Sequence, residues 1–245
     1  MNPEALFAFS LRMGDNALVL SQRLGEWCGH GPALEEDLAL ANTALDLLGH
    51  ARMWLSLAGE AEGRGRDEDQ LAFLRDAGEF RNLLLVEQAN GDYACTMARQ
   101  YYFDAWHHPL LERLAQAREP RVAAIAAKAA KEAAYHLHRS REWVVRLGDG
   151  TGESHRRMQA AAEELWPYTG EMFAADDADR AFVDPAELQP GWRAEVEATF
   201  ARATLTLPGG GWMQQGGKRG VHTEKLGHLL AEMQFLQRAY PGAKW

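Results

Sequence analysis

Two segments of the chain carry residues whose types and spacing could hold a metal. Asp46-Leu47-Leu48-Gly49-His50 and Glu132-Ala133-Ala134-Tyr135-His136 each place an acid four residues before a histidine. On a helix, residues at that spacing share a face. Both segments follow the outline of the acid-Glu-x-x-His stretch with which carboxylate-bridged di-iron bundles ligate iron. In both, the position of the ligating Glu is apolar, Leu47 in one and Ala133 in the other. The spacing therefore points to metal chemistry, and the two substitutions point away from it.

Helix arithmetic asks what else could complete such a site. In an antiparallel hairpin, residues equidistant from the turn lie at the same height, at about 1.5 Å of rise per residue. With a turn near Gly31, the Leu47–His50 stretch is expected opposite roughly Arg12 to Ala17, where Asp15 is the acid available; Glu26 lies too close to the turn. With a turn near Glu119, Ala133–His136 is expected opposite roughly Arg99 to Asp104, where Asp104 is the acid, and Glu87 falls outside. Two short Asp side chains and two histidines are too few anionic ligands for two irons, which normally take four carboxylates. A metal-free core is the expectation, with Asp46 paired to His136 and Glu132 to His50 as remnants of metal-supporting hydrogen bonds. The alternative is an autonomous di-iron oxidase or iron-binding protein that uses Asp15, Asp46, His50, Asp104, Glu132 and His136.

These residues need long helices to position them, and helical periodicity is nearly continuous along the chain. The pattern predicts helices from about Pro3 to Cys28 and from Ala33 to about Glu60. It predicts a short helix at Asp69–Arg75, a break near Gly78, and a third long helix capped by Asn90 or Asp92 that runs to Ala117 with a bend at Pro109. Pro120 at the first position starts a fourth, ending at Leu147. Four long helices with short turns imply an all-α, antiparallel four-helix bundle over about 3–148. Further helices from about Ser154 to Phe173, after Trp192, and from Thr223 to Tyr240 wrap it over about 154–240, in one domain spanning 1–245.

Charge and cysteine usage narrow the class. Lys plus Arg total 26 against 35 Asp plus Glu, a formal charge of −9, which argues against nucleic-acid or anionic-membrane partners. Cys28 and Cys95 are the two cysteines, with no spacing for zinc or a disulfide framework. No targeting or membrane-spanning segment is readable, so a cytoplasmic location is expected.

The chain resembles a known family along most of its length. The matching segments include Gly14-Asp15-Asn16, Leu18 through His30, Asp37 through Asn42, Leu45 through Gly49, Asn82 through Gln88, Ala98-Arg99-Gln100-Tyr101, Lys131-Glu132-Ala133, His222-Thr223-Glu224 and Leu230 through Gln234. They are similar to the non-catalytic subunits of the multicomponent phenylacetyl-CoA 1,2-epoxidase of bacterial phenylacetate degradation. The resemblance implies a ferritin-like fold and no cofactor in this chain. It also implies a homologous catalytic di-iron subunit as partner, further subunits that include a reductase, and a homo-oligomer. His50 departs from the pattern, since Gln is expected there in some relatives. The resemblance also implies contact with the acyl-CoA through Glu79, Phe80, Arg81 and Asn82 and through Arg180, Ala181 and Phe182. Arg81 and Arg180 would meet phosphates, and Phe80 or Phe182 would stack on adenine or cover the pantetheine arm.

Two features stand apart. Gly216-Gly217-Lys218-Arg219-Gly220 does not match a P-loop and reads as an exposed loop at a subunit interface. Trp54, Trp106, Trp143 and Trp212 read as core residues.

Overall fold

The structure is a computed structural model that describes residues 2–243. Its elements in chain order are α1 (Pro3–Gly25), α2 (Leu34–Glu62), α3 (Glu68–Phe73), α4 (Tyr93–Leu114), α5 (Pro120–Gly148), α6 (Gly152–Leu165), α7 (Asp177–Arg180), α8 (Gln189–Arg202), α9 (Glu224–Met233) and α10 (Phe235–Ala239), with short 3-10 turns between them. The chain is all-α, and it has the four long helices of a ferritin-like bundle as two antiparallel pairs, α1 with α2 and α4 with α5.

Local chemistry explains where the helices begin and end. Asn2 accepts a hydrogen bond from the Glu4 amide and Pro3 occupies the first turn of α1, where its missing N–H costs nothing. Gly63, at φ 69°, ends α2 in the left-handed conformation that glycine adopts without strain. Asp67 opens α3 with a reciprocal capping box to Gln70. Asp92 caps α4 and Pro120 starts α5. Asp176 accepts from the Asp179 amide and so caps the one-turn helix α7.

The chain divides into two compact units. The first comprises Met1–Gln88 and Gly216–Trp245. Here α1 lies along α2, and α3 and α9 pack beside them. A methyl group at Gly14 would come 2.7 Å from Leu55 Cγ and 3.3 Å from the Leu55 backbone nitrogen, so the two helices touch through their backbones there. That contact corrects the expected register: Gly14 meets Leu55, about two turns further along α2 than Leu48. The cause lies in the connection. After Gly25 the chain makes further turns through His30 before α2 begins at Leu34, so the two helices are not equidistant from one tight bend.

The second unit is Ala89–Gln215. Along the α4–α5 pair, α6 and α8 bury an aromatic core. Tyr102, 0% exposed, has Trp166, Trp192 and Phe200 within ring contact. Trp192 donates to the Tyr102 carbonyl at 3.1 Å and the Tyr102 hydroxyl donates to the Ala162 carbonyl at 3.2 Å, so both polar tips are satisfied. The C-terminal segment thus contributes Gly152–Arg202 to one unit and Glu224–Ala239 to the other.

Candidate functional site

The first unit holds its acids on buried cations and amides. Asp15 on α1 is 0% exposed and Arg75, just past α3, is 2% exposed. Arg75 forks onto the carboxylate: Nη1 donates to Oδ2 at 3.0 Å and Nη2 donates to Oδ1. The Arg81 amide donates to Asp15 Oδ2 at 2.8 Å, and the next residue, Asn16, accepts from the Leu83 amide at 2.7 Å. Arg75 also donates to the Glu79 carbonyl and lies over the Phe80 ring at 4.1 Å. A buried ion pair is retained at low cost only when its other valences are met, and here each oxygen of Asp15 has a donor.

A second cluster anchors the same non-helical segment to the C-terminal part of the unit. Glu87, 0% exposed, accepts from Asn82 Nδ2 at 3.0 Å, from the Thr223 amide at 2.7 Å and from His222 Nδ1 at 2.8 Å. The other His222 ring nitrogen lies 3.0 Å from the Phe80 carbonyl. Both ring nitrogens face groups that only accept, so the ring is an imidazolium. Burial opposes that charge, but the hydrogen bonds to Glu87 and Phe80 outweigh it and raise the His222 pKa above its ordinary value. Arg23 on α1 donates to the Glu87 and Lys225 carbonyls.

The second unit treats its acid differently. Asp104 on α4 is 1% exposed and accepts from Gln100 Nε2 and Ser140 Oγ, both at 2.8 Å. Burial pushes its pKa up to about 8, against the smaller pull of Ser140 and Gln100. Asp104 is therefore protonated near neutrality. Its partner Ser140 lies one turn beyond His136, so the α4–α5 register departs from the expected one in the same sense as the first pair.

The residues picked out by spacing are placed as follows. Leu47 and Ala133 are both 0% exposed, each on the buried face of its helix. His50 and His136 are 1% and 2% exposed, while Asp46 and Glu132 are half-buried. Asp46, Leu47 and His50 belong to the first unit, and Glu132, Ala133 and His136 to the second. Among the described residues, no three His, Cys, Asp or Glu side chains form a group able to hold a metal ion.

The acyl-CoA candidates also fall in both units. In the first, Phe80 is 0% exposed beneath Arg75 and Asn82 is 0% exposed on Glu87. The burial of Phe80 follows from the Asp15–Arg75 pair above it. Glu79 is exposed and Arg81 half-buried, with its Nη1 donating to the Gly78 and Phe80 carbonyls at 2.7 Å. In the second unit, Arg180 and Ala181 are exposed, Phe182 is half-buried, and Arg180 sits 3.6 Å from Asp177.

Sequence reasoning missed Arg75, Glu87 and His222 as organising residues, since each acts across 60 to 142 residues of chain. The Gly216–Gly220 loop is not an exposed loop throughout: Gly216, Gly217 and Lys218 are buried, and a methyl group at Gly217 would lie 2.1 Å from the Asn82 carbonyl. Trp54 and Trp106 are core residues and Trp143 is half-buried, whereas Trp212 is 75% exposed.

Comparison with known proteins adds to this geometry. A family model described as phenylacetic acid catabolic protein matches residues 1–245. The chain is 57% identical over 246 residues to the C subunit of the 1,2-phenylacetyl-CoA epoxidase of Escherichia coli (strain K12), a match that covers 98% of this chain and 99% of that relative. Among the described residues, no helix is long and apolar enough to cross a membrane.

Proposed function

This chain belongs to the phenylacetic acid catabolic protein family, and on that premise we propose that it is the non-catalytic structural subunit of a multicomponent di-iron oxygenase acting on phenylacetyl-CoA in the cytoplasm. In this reading a homologous catalytic subunit holds the two irons and epoxidises the aromatic ring, and a reductase subunit supplies electrons. The present chain supports the catalytic subunit and contributes Arg81 and Arg180 toward the acyl-CoA.

The observation that carries the reading is the fate of the four ligand positions. Leu47 and Ala133, each 0% exposed, put hydrocarbon where a ligand would stand. Asp15 is bound on both oxygens by Arg75 and Arg81, and Asp104 is held protonated by burial. Arg75 competes with any metal for Asp15, and a metal at Asp104 must first displace the proton that burial favours there.

The autonomous di-iron reading is tested by the iron content of the chain purified from iron-rich culture, with an optical scan for an oxo-bridged centre. The proposal expects no stoichiometric iron and a stable complex on addition of the catalytic subunit. Roughly two irons per chain, as a di-iron bundle requires, would overturn it.

A further inference from the structure

Two arginines of the first unit are set apart by the absence of an acid. Arg23, Arg52, Arg64, Arg66, Arg75 and Arg238 each lie within 4.0 Å of a carboxylate of the chain. Among the described residues, the guanidinium groups of Arg81 and Arg219 have no carboxylate within that distance. In a chain with 35 acidic and 26 basic residues, an arginine without an acid is the exception, and these two exceptions adjoin.

The Gly216–Gly220 turn brings them together. The Arg219 amide donates to the Gly216 carbonyl at 2.8 Å, the Gly220 amide to the Gly217 carbonyl at 3.0 Å, and the Val221 amide to the Gly216 carbonyl at 3.0 Å. The turn is thereby closed on itself, and Gly220 ends it at φ 78°, in the left-handed region. A methyl group at Gly220 would lie 2.6 Å from Arg81 Nη1, so the Arg81 guanidinium rests against a backbone that only glycine leaves bare. Its Nη1 donates to the Gly78 and Phe80 carbonyls, which fix it without cancelling its charge. Arg219 is the residue before Gly220, about 3.8 Å away at Cα, and it is exposed. The acid nearest to Arg81 in sequence, Glu79, accepts from the Asp76 amide at 2.8 Å.

Resting on the function proposed above, we infer that Arg219 and Arg81 form a two-arginine clamp for a phosphate group of the acyl-CoA, with the Gly216–Gly220 turn as its base. Neighbouring like charges repel until an anion sits between them. A phosphate carries enough charge for both, and its oxygens match the donor forks of two guanidinium groups. A lone carboxylate balances one. The amides of residues 219–221 are already used within the turn, so the side chains and not the backbone meet the ligand. An acyl-CoA carries a phosphate monoester and a pyrophosphate, and either supplies this anion.

The test uses the complex reconstituted with the catalytic and reductase subunits. Arg219 is exposed, so its variants are expected to fold as the wild type does, which circular dichroism reports. Arg219→Gln is expected to raise KM for phenylacetyl-CoA about tenfold at low salt, the loss of one charge-assisted contact, with kcat unchanged. Arg219→Lys keeps the charge but loses the fork, and is expected to raise KM less. Arg52→Gln removes a charge that Glu68 already balances at 3.2 Å and is expected to leave KM unchanged. An unmoved KM in Arg219→Gln would overturn the inference, while turnover of phenylacetyl-CoA by the same complex would keep the function proposed above. An equal rise in Arg52→Gln would overturn it too, because net charge alone would then be the cause. So would a weaker complex with the catalytic subunit and an unmoved KM once assembled, which would assign Arg219 to an acid of that subunit. A wild-type chain that forms no complex would instead overturn the function proposed above, and this inference with it.

Discussion

Asp15 and Asp104 are both buried carboxyl groups on long helices, and their surroundings assign them opposite tasks. Asp15 faces the Arg75 guanidinium, while Asp104 faces an amide and a hydroxyl. Removing the cation leaves a buried charge with the Arg81 amide as donor, so Arg75→Met is expected to cost about 3–5 kcal/mol, measured by urea unfolding; a loss below about 1 kcal/mol would mean that solvent reaches Asp15. For Asp104 the sign is reversed. Its folded pKa of about 8 lies above the ordinary 3.8, so between those values the folded chain holds a proton that the unfolded chain has released. Stability contributed by this group is complete below about pH 4 and falls as pH rises toward 8. Asp104→Asn keeps the shape of the neutral acid. It is expected to match the wild type near pH 4 and to exceed it at pH 8 by on the order of a few kcal/mol; parallel pH profiles of the melting temperature would show that Asp104 is not the titrating group.

The stretch from Arg75 to Gln88 is the element that local patterning could not describe. Helix ends were legible where the signal is local, as at Gly63, Asp92 and Pro120, because caps and proline act within one turn. The register of each hairpin was not, since Gly14 meets Leu55 and Asp104 meets Ser140 only through the shape of the connections. Nor was the Arg75–Gln88 path, whose amides and side chains are satisfied by Asp15, Asn16 and groups around His222 far along the chain. The absence of Glu at positions 47 and 133 was plain in the sequence; the occupation of Asp15 by Arg75 was not. His222 offers a direct probe of this element. Its raised pKa means that its stabilisation is fully present below about pH 6.5, the unfolded value, and is lost as pH rises through the folded one. His222→Gln is therefore expected to lower the melting temperature more at pH 6 than at pH 9. An equal loss at both would assign His222 a packing role alone. Gly217→Ala, which drives a methyl group into the Asn82 carbonyl, is expected to cost about 1–3 kcal/mol at either pH.

At the scale of the whole molecule, a chain with 26 basic and 35 acidic residues repels a polyanion such as an acyl-CoA at long range. Any contribution to its binding must come from cations close to the phosphates, where distance and reduced screening outweigh the net charge. Arg81 is suited to this because its contacts are carbonyl oxygens of Gly78 and Phe80, which position the guanidinium without neutralising it. Arg180 already shares an exposed face with Asp177 at 3.6 Å, so its charge is partly balanced and less remains for a ligand. In the reconstituted complex, Arg81→Gln is expected to raise KM for phenylacetyl-CoA about tenfold at low salt with kcat unchanged, the mark of lost ground-state binding, and Arg180→Gln to raise it less. Added salt should shrink both differences, because exposed charges are screened beyond about 10 Å at 0.1 M. If KM is unmoved while the complex still assembles, acyl-CoA recognition lies wholly in the catalytic subunit. The buried Asp15–Arg75–Phe80 arrangement would then serve the shape of the first unit and not a ligand, because the same burial that orders Phe80 also withdraws it from solvent.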